Sequence, residues 1–498
     1  MKLTNYAQSY KLNHDQQKLF IELEAFLSSD DHPIFLLKGY AGVGKTYVTS
    51  VLTNYLTESN QQFMLMAPTG KAARVLSDKC KLSVSTIHGG IYSCVDTNIV
   101  EESHGEQSVR RQTKGFLKSS EHASDAVFIV DEASMVSDRS SNNNSLSFGS
   151  GHVLYDLMKY IDFKAYPKRK LILIGDAAQL PPVRMTTSPA LSSDYLKRKF
   201  KVDVMEYELT QIVRQKSESG VTQLLTSLRE GEIEPYICFP SKPNFMPRVS
   251  NISFRELEAK YLELCNNTIG GADNVAVIAH CNWQVKEYNK RLRQVFFPSH
   301  EVLSVGEPVV AAARYSQYGF TIPNGEFGKI IEILSNVEVR TVFLNYSQFD
   351  YDDENSYVDL CFMDVRVQFF DVEGNKQNFR TKVITNALDG SSPHLSEFEE
   401  SALSYDFRNR HSTINPSSDE YRDLYKRDPY VNALKANYGY AFTCHKAQGG
   451  EWPIVIVDSH MYTNCTKMKC SWLYTAISRT SEQLLLINHV EDGLFSSF

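Results

Sequence analysis

The stretch at residues 34–47, IFLLKGYAGVGKTY, decides the fold class of this chain. Residues 34–37 are an apolar run that predicts a buried parallel strand, and VTSVLTNYL beyond the stretch predicts an amphipathic helix. Between them, Gly39-x-x-x-x-Gly44-Lys45-Thr46 has the spacing of a phosphate-binding loop. A glycine-rich turn that matches by chance is the alternative, but it would need neither the strand nor the helix. The stretch therefore predicts an α/β protein with a nucleotide site.

The residue types of this loop suit phosphate binding. Glycines let the backbone bend so that its N–H groups point at phosphate oxygens, and the helix that follows adds the positive end of its dipole. Lys45 can reach the β- and γ-phosphates, and Thr46 offers a hydroxyl to Mg²⁺. The predicted nucleotide contacts here are Gly39, Gly42, Val43, Gly44, Lys45, Thr46 and Tyr47.

Length and composition narrow the class of protein. A chain of 498 residues predicts more than one domain, and 42% apolar with 22% charged residues is typical of a globular protein. We expect no membrane span and no signal peptide, since long apolar runs and an apolar N-terminal region are missing. Nine cysteines without C-x-x-C pairs favour a reducing, cytosol-like compartment. The net charge of −7 argues weakly against a protein that coats nucleic acid, but it permits a local basic channel.

Polar residues follow several further apolar runs. Strand ends in open α/β sheets are where ligands bind, so residues at these ends are candidates for tracking a nucleic-acid backbone. They are Thr69 and Lys71 in APTGKAA, and Thr86 and His88 in STIHG. Ahead of the phosphate loop, the amide of Gln16 could recognise adenine, or it could simply belong to a helix N-terminus capped by Asn13.

Two later strand ends complete the predicted chemistry. After the apolar run at 126–130, Asp131 would hold Mg²⁺ and Glu132 would orient or deprotonate the attacking water. After the run at 171–174, Gln179 could sense the γ-phosphate. The βα pattern restarts near residue 274 without a second phosphate loop, which indicates two α/β domains that share one nucleotide.

Taken together and in order, the motifs resemble those of superfamily 1 helicases of subclass B, which contains the RecD and phage Dda-type enzymes. They are GxxxxGKT, APTGKAA, TIHG, DEAS, GDxxQLPPV, LTxxxR, TCHKAQGGEW and YTAISR, and they run from Leu12 to Thr480. The loop after Ser137 and the segment 391–435 have no counterpart in this resemblance.

The resemblance implies roles for individual residues. Gln16 would recognise adenine, Glu451 would lie near the ribose, and Arg214 and Arg479 would reach the γ-phosphate from the domain interface. Thr69, His88, Thr443 and His445 match positions that grip single-stranded DNA. For the arginines the alternative is a surface ion pair, and for both histidines a structural role is equally compatible. For the triplet Asn324-Gly325-Glu326, a plain turn is the simpler interpretation.

The resemblance also implies an architecture of two RecA-like domains with parallel sheets. The first would comprise residues 1–90 and 123–215, with a β-hairpin pin inserted at 91–122. The second would comprise 216–325 and 436–498, with an SH3-like β-barrel and an extra segment at 326–435. An aromatic in the tip region of the pin could stack on the last base pair, with Phe116 as first and Tyr92 as second candidate. Anchoring of the pin is the competing role for Phe116.

The expected activity is ATP- and Mg²⁺-dependent translocation 5′→3′ on single-stranded DNA with unwinding of duplex ahead of it. We expect a monomer that acts on single-stranded and forked DNA in the cytoplasm of a bacterium or phage-infected host. Single-strand-binding or replication proteins are the further partners that this activity implies. One alternative is a P-loop ATPase of another class, and a second is a DNA-stimulated ATPase subunit without unwinding activity. The intact pair Asp131 and Glu132 counts against the second alternative.

Overall fold

The structure is a computed structural model that describes residues 2–103, 106–140, 146–213, 220–230, 248–299, 302–344, 356–389, 394–461 and 466–488. Arg214 therefore lies outside the described residues. Among the residues that are described, no helix has the length and apolar character needed to cross a membrane.

The first half of the chain alternates strands and helices. Its strands are β1 (Ile34–Gly39), β2 (Phe63–Ala67), β3 (Ser85–Thr86), β4 (Tyr92–Ser103), β5 (Glu106–Leu117), β6 (Val127–Val130), β7 (Leu146–Phe148), β8 (Lys170–Gly175) and β9 (Val204–Leu209). Its helices are α1 (Leu3–Ala7), α2 (His14–Ser28), α3 (Lys45–Glu58), α4 (Gly70–Cys80), α5 (Ile87–Ile91), α6 (Val153–Ile161) and α7 (Ser193–Phe200).

Six of these strands form a parallel sheet in the order β3-β2-β6-β8-β1-β9. Helices cover both faces, so the first four residues of β1 are apolar and buried. Phe35 and Leu37 pack toward α2, α3 and α4, whereas Ile34 and Leu36 pack with α6. Because the strands are parallel, the loops after β1, β6 and β8 meet at one edge of the sheet.

The predicted insertion at 91–122 contains a long hairpin. Strands β4 and β5 pair antiparallel from Tyr92 opposite Leu117 to Ser103 opposite Glu106, and β7 adds to β5. The pairing extends to Ser103 and Glu106 at the far end of the hairpin, whereas Phe116 lies opposite Ser93 near its base. This corrects the sequence-based placement of Phe116 in the tip region.

The second half continues with α8 to α15 and β10 to β22. Its helices are α8 (Gly220–Glu230), α9 (Leu257–Leu264), α10 (Asn282–Phe296), α11 (Asn386–Asp389), α12 (Glu397–Arg410), α13 (Asp419–Arg427), α14 (Cys444–Ala447) and α15 (Thr466–Ile477). Its strands are β10 (Val249–Ser253), β11 (Val275–Ala279), β12 (Pro308–Ala311), β13 (Tyr315–Gln317), β14 (Phe320–Ile322), β15 (Phe327–Ile333), β16 (Glu338–Leu344), β17 (Ser356–Phe370), β18 (Lys376–Ile384), β19 (Leu434–Tyr438), β20 (Ala441–Thr443), β21 (Trp452–Asp458) and β22 (Thr480–Asn488).

A second parallel sheet has the order β10-β22-β21-β11-β20. Its central strands β11 and β21 are again buried, with Ala276 and Ile278 packed toward α14 and α15. The prediction of an α/β fold with two RecA-like parallel sheets is confirmed.

Between β11 and β20 the chain forms a ring of strands. The pairings run β15-β12-β19-β18-β17, and β15 also pairs with β17, which closes a small barrel. Strand β16 extends from β17. The segment 391–435, which the motifs did not assign, contributes α12 and α13. Ala402 and Leu403 of α12 pack on β16 and β17, and Phe407 packs against Tyr421 and Tyr425 of α13.

Candidate active site

The loop between β1 and α3 has the conformation that its glycines permit. Gly42 and Gly44 have φ of 86° and 88°, in the left-handed region that other residues rarely adopt. The Lys45 Nζ donates hydrogen bonds to the carbonyls of Gly39 at 2.6 Å and Tyr40 at 2.9 Å. The amine therefore lies over the loop, close to where the motif would place the β- and γ-phosphates. Val43 is buried beneath the loop, whereas Tyr47 is exposed.

Gln16 ties the preceding helix to this loop. Asn13 caps α2, and its side chain accepts from the Gln16 N–H at 2.8 Å. In return, the Gln16 Oε1 accepts from the Asn13 N–H at 3.2 Å, while its Nε2 donates to the Val43 carbonyl at 3.1 Å. The helix N-terminus capped by Asn13, which was the alternative considered for Gln16, is therefore present. The side chain of Gln16 is only 1% exposed, so its role toward adenine stays a prediction.

Two carboxylates follow β6 at the same sheet edge. Burial raises the pKa of Asp131 to about 6, with Glu132 adding to the rise and Lys45 opposing it. Glu132 adopts φ 51° and ψ 37°, a left-handed conformation that costs about 1–3 kcal/mol in a non-glycine residue. Within the described part of the chain, its buried Oε2 has no hydrogen-bond partner. Such a strained, unsatisfied carboxylate is typical of a catalytic position.

The end of β8 brings two further polar residues to this edge. The Gln179 Oε1 is buried, and none of the described residues forms a hydrogen bond with it. Asp176, which the sequence analysis did not select, accepts from the Ala178 N–H and from the Tyr474 hydroxyl, each at 2.9 Å. Burial raises the pKa of Asp176 above its ordinary value, while Lys45 opposes the rise. Its position in GDAAQ and that of Tyr474 in YTAISR were the signals available in the sequence.

Tyr474 joins the two halves of the molecule. It belongs to α15 of the second half, yet its hydroxyl accepts from the Ala41 N–H of the phosphate loop at 2.9 Å. A cleft of about 210 Å³ lies beside this bridge. Residues from both halves line the cleft, among them Gly42, Arg229 and Glu451. Glu451, predicted to lie near a ribose, therefore borders the cleft.

These groups fit a nucleoside triphosphate with Mg²⁺. The loop presents its backbone around Lys45, and two buried acceptors, Glu132 Oε2 and Gln179 Oε1, have no hydrogen-bond partner among the residues that the structure describes. Unsatisfied buried acceptors are costly unless a ligand, an ion or water satisfies them. Thr46 begins α3 beside Lys45, and Asp131 offers oxygen atoms, which are the ligands that Mg²⁺ prefers.

Arg479 lies between cleft-lining residues but is itself buried in the second half. It donates to the Thr475 carbonyl at 3.1 Å, the Ser478 hydroxyl at 2.9 Å and the Gly450 carbonyl at 3.4 Å. The surface ion pair considered for this arginine is therefore not its environment. A role at a phosphate would require the guanidinium to leave these partners.

The three threonines predicted to grip a nucleic-acid backbone share one geometry. Thr69, Thr86 and Thr443 are the N-caps of α4, α5 and α14. The hydroxyls of Thr69 and Thr86 accept from backbone N–H groups at 3.2 and 3.0 Å. Thr443 lies opposite Ala279 where β20 and β11 end. Helix N-termini at strand ends are suitable sites for phosphate groups.

The two predicted histidines differ in their surroundings. The ring of His88 packs 4.9 Å from Phe148 and 5.6 Å from Tyr92, and burial lowers its pKa to about 4. It is therefore neutral near pH 7, which favours the structural role considered for it. The ring of His445 is exposed.

Two sequence-based assignments need correction. Lys71, predicted to contact DNA, does not extend into solvent, because its Nζ lies 3.4 Å from the ring centroid of Trp452 and 3.9 Å from that of Phe327. Tyr92, the second wedge candidate, is buried, and its hydroxyl donates to Asp156 at 2.7 Å. Phe116 is 57% exposed at the hairpin base, so it is not an anchor, and its contact with DNA stays a prediction.

Comparisons with known proteins identify families and relatives to which this chain is similar. A family model described as an AAA domain matches residues 11–144, and one described as a UvrD-like helicase C-terminal domain matches residues 438–487. The chain is 24% identical to an uncharacterised protein of Acanthamoeba polyphaga mimivirus, covering 95% of this chain and 99% of that protein. It is 27% identical to the ATP-dependent RecD2 DNA helicase of Deinococcus radiodurans over 201 residues, which cover 40% of this chain and 22% of that protein.

Among solved structures, the Pif1 helicase from Bacteroides in complex with ADP-AlF3 and ssDNA aligns over 97% of this chain and 93% of its own. The sequence identity is 16% and the TM-score is 0.45.

The phosphate loop, the paired carboxylates and the cleft between two parallel sheets define a P-loop protein with two RecA-like domains. Together with the motifs in their order, the matches to an AAA domain and to a UvrD-like helicase C-terminal domain support the resemblance to superfamily 1 helicases of subclass B. The predicted proximity of the chain to the Dda-type enzymes within that subclass stays a prediction.

Proposed function

We propose that this protein is an ATP-dependent DNA helicase that moves 5′→3′ on single-stranded DNA and unwinds duplex ahead of it. One observation carries the proposal: the phosphate loop of the first domain and Tyr474 of the second meet across one cleft. A nucleotide bound there would favour one relative position of the two domains. Its hydrolysis would then change that position, which is the requirement for stepwise movement.

The site residues take the roles that their chemistry suits. Lys45 holds the terminal phosphates, and Thr46 with Asp131 holds Mg²⁺, which neutralises charge on the phosphate oxygens when bound. Glu132 orients and deprotonates the attacking water, and Gln179 senses the γ-phosphate. Arg479 leaves its backbone partners to stabilise charge at that phosphate from the second domain, and Arg214 is proposed to do the same.

The nucleic-acid ligand in this proposal is single-stranded DNA at a fork. Thr69 and Thr86 of the first domain and Thr443 of the second would hold phosphates at their helix N-termini, with His445 beside the last. The residues that would hold the DNA phosphates lie on separate domains. If the two domains hold the DNA alternately, closure of the cleft would move the protein one step along the strand. A monomer suffices for this cycle, and the proposed setting is the cytoplasm, with single-strand-binding or replication proteins as partners.

One experiment tests the proposal against its alternatives. The purified protein is assayed for ATP hydrolysis with and without single-stranded DNA, and for opening of duplexes that carry a 5′ or a 3′ single-stranded tail. We expect DNA-stimulated hydrolysis and opening of the 5′-tailed duplex only. Stimulation without opening of either duplex would instead support an ATPase subunit, and hydrolysis that ignores DNA would indicate another P-loop class. Preferential opening from the 3′ tail would reject the proposed direction.

Replacement of Glu132 by glutamine is expected to slow turnover at saturating ATP by about 10²- to 10⁴-fold, because the amide cannot act as a general base. ATP binding, measured with a fluorescent analogue, should be retained, since the substitution keeps the shape of the side chain. Glu121→Gln, at an exposed position of the same domain, is the matched control. Weakened binding with unchanged turnover would contradict the role of Glu132.

A further inference from the structure

Helix α4 of the first domain is held by aromatic rings from two other parts of the molecule. The Lys71 Nζ lies 3.9 Å from the ring centroid of Phe327, which begins barrel strand β15. It lies 3.4 Å from the ring of Trp452 and 5.9 Å from that of Phe442, both in the second domain. An ammonium over several ring faces is attracted by their electron density, and the attraction grows with desolvation.

A buried ion pair lies one helical turn further along α4. The Arg74 Nη1 lies 2.6 Å from the Glu326 Oε1, and Glu326 is only 2% exposed. The guanidinium carbon of Arg74 also lies 4.0 Å from the ring centroid of Phe370 in the barrel. Glu326 belongs to the triplet for which the sequence favoured a plain turn. The turn is present, with Gly325 at φ 83°, but its carboxylate also secures α4.

Glycines let the two domains approach closely at this place. A Cβ on Gly449 would lie 2.7 Å from the Cβ of Ala72, and one on Gly450 would lie 2.5 Å from the Cε of Lys71. Real Cβ atoms essentially never come this close to another atom, so at position 449 only glycine permits the contact with Ala72, whereas at position 450 a side chain would displace the flexible end of Lys71. The residues of α4 therefore touch the backbone that follows α14 directly.

The same contact connects the predicted DNA grip with the predicted phosphate arginine. Thr69 is the N-cap of α4, and Gly450, against whose Cα the end of Lys71 packs, accepts through its carbonyl from the Arg479 Nη1 at 3.4 Å. If Arg479 moves relative to the first domain, the contact between Gly450 and Lys71 must therefore change as well.

We propose that Lys71 and Arg74 are positioning residues that hold the first domain against the barrel and the second domain when the cleft closes. This inference rests on the proposed function, because it assigns Lys71 to the closing of the nucleotide cleft rather than to DNA. Closure that Lys71 supports raises the fraction of molecules competent for ATP, so its loss weakens apparent ATP affinity by that fraction. The chemical step itself does not use Lys71.

The test compares Lys71→Met, which keeps length and removes the charge, with Lys71→Arg, which keeps a cation for the aromatic rings. At saturating single-stranded DNA, Lys71→Met should raise the KM for ATP about fivefold with kcat within about twofold, and Lys71→Arg should restore most of the affinity. Lys159→Met, at an exposed position of α6, is the matched control and should behave as wild type. Phe327→Leu removes one ring without touching Lys71, and it should raise the KM as Lys71→Met does.

Affinity for single-stranded DNA without nucleotide separates this inference from the sequence-based role. We expect that affinity to stay within about twofold in Lys71→Met, with an unchanged salt dependence. The inference would be overturned if Lys71→Met bound DNA more weakly with an unchanged KM for ATP. In that case the slope of log K for DNA binding against log salt concentration should be smaller by about one, and Lys71 would be a DNA contact. Wild-type values for both Lys71→Met and Phe327→Leu would overturn the inference as well. If wild-type hydrolysis ignores DNA, the proposed function fails, but the comparison of KM values in basal hydrolysis still tests the positioning role.

Discussion

Replacement of Lys45 by alanine is expected to abolish ATP hydrolysis while the protein remains folded. Lys45 is half-buried, and its amine donates to the Gly39 and Tyr40 carbonyls of the loop, so the substitution removes little core packing. The amine would otherwise lie at the terminal phosphates, where charge develops during hydrolysis. Steady-state hydrolysis at saturating ATP and DNA measures the effect.

The matched control for Lys45 is Lys38→Ala. Lys38 lies on β1 and forms an ion pair with Glu206 at the surface, which is worth little to stability. We expect this control to hydrolyse ATP at the wild-type rate and Lys45→Ala to melt at the wild-type temperature. Hydrolysis by Lys45→Ala near the wild-type rate would remove the phosphate-loop assignment.

Replacement of Arg479 by alanine is expected to lower kcat for ATP by roughly 10³- to 10⁵-fold, the range found for arginines that stabilise a transferring phosphoryl group. ATP binding should be largely kept, because the phosphate loop of the first domain supplies most contacts to the nucleotide. Single-turnover hydrolysis and equilibrium binding of a fluorescent nucleotide measure the two quantities separately.

Arg479 is buried and donates hydrogen bonds to the carbonyls of Thr475 and Gly450. The folding of Arg479→Ala must therefore be tested as well. Arg479→Lys keeps a positive charge but loses the planar fork, so we expect partial recovery at most. A melting temperature close to that of the wild type would show that the loss is chemical. Lost nucleotide binding with unchanged turnover at saturation would contradict the role of Arg479.

The phosphate loop could be predicted from the sequence because everything that forms it is contiguous. The loop lies directly between strand β1 and the helix that begins at Lys45, and it contains the glycines with positive φ. The carboxylates Asp131 and Glu132 could be predicted equally well, since a buried apolar run directly before them predicts a strand end. The left-handed backbone conformation of Glu132 could not be predicted, because nothing in the sequence DEAS requires it.

Residues whose environment comes from distant parts of the chain were assigned less well. Lys71 follows a strand end in APTGKAA, which suggested solvent and DNA, but Phe327 and Trp452 surround its amine in the folded protein. The position predicted for Phe116 in the tip region was wrong for a related reason. The register of the hairpin places Phe116 opposite Ser93 at its base, and that register depends on the pairing of two strands rather than on the residues next to Phe116.

From the amino-acid sequence alone we could predict the α/β class, the two parallel sheets, the phosphate loop and the carboxylates that follow the strands. Each of these depends on periodicity or spacing within a short stretch, where local sterics and burial decide the conformation. The bridge from Tyr474 to Asp176 and Ala41 and the ion pair of Glu326 with Arg74 could be seen only in the folded protein. Those contacts arise where separately folded elements meet, so the partners of a side chain there are set by domain packing rather than by its neighbours in sequence.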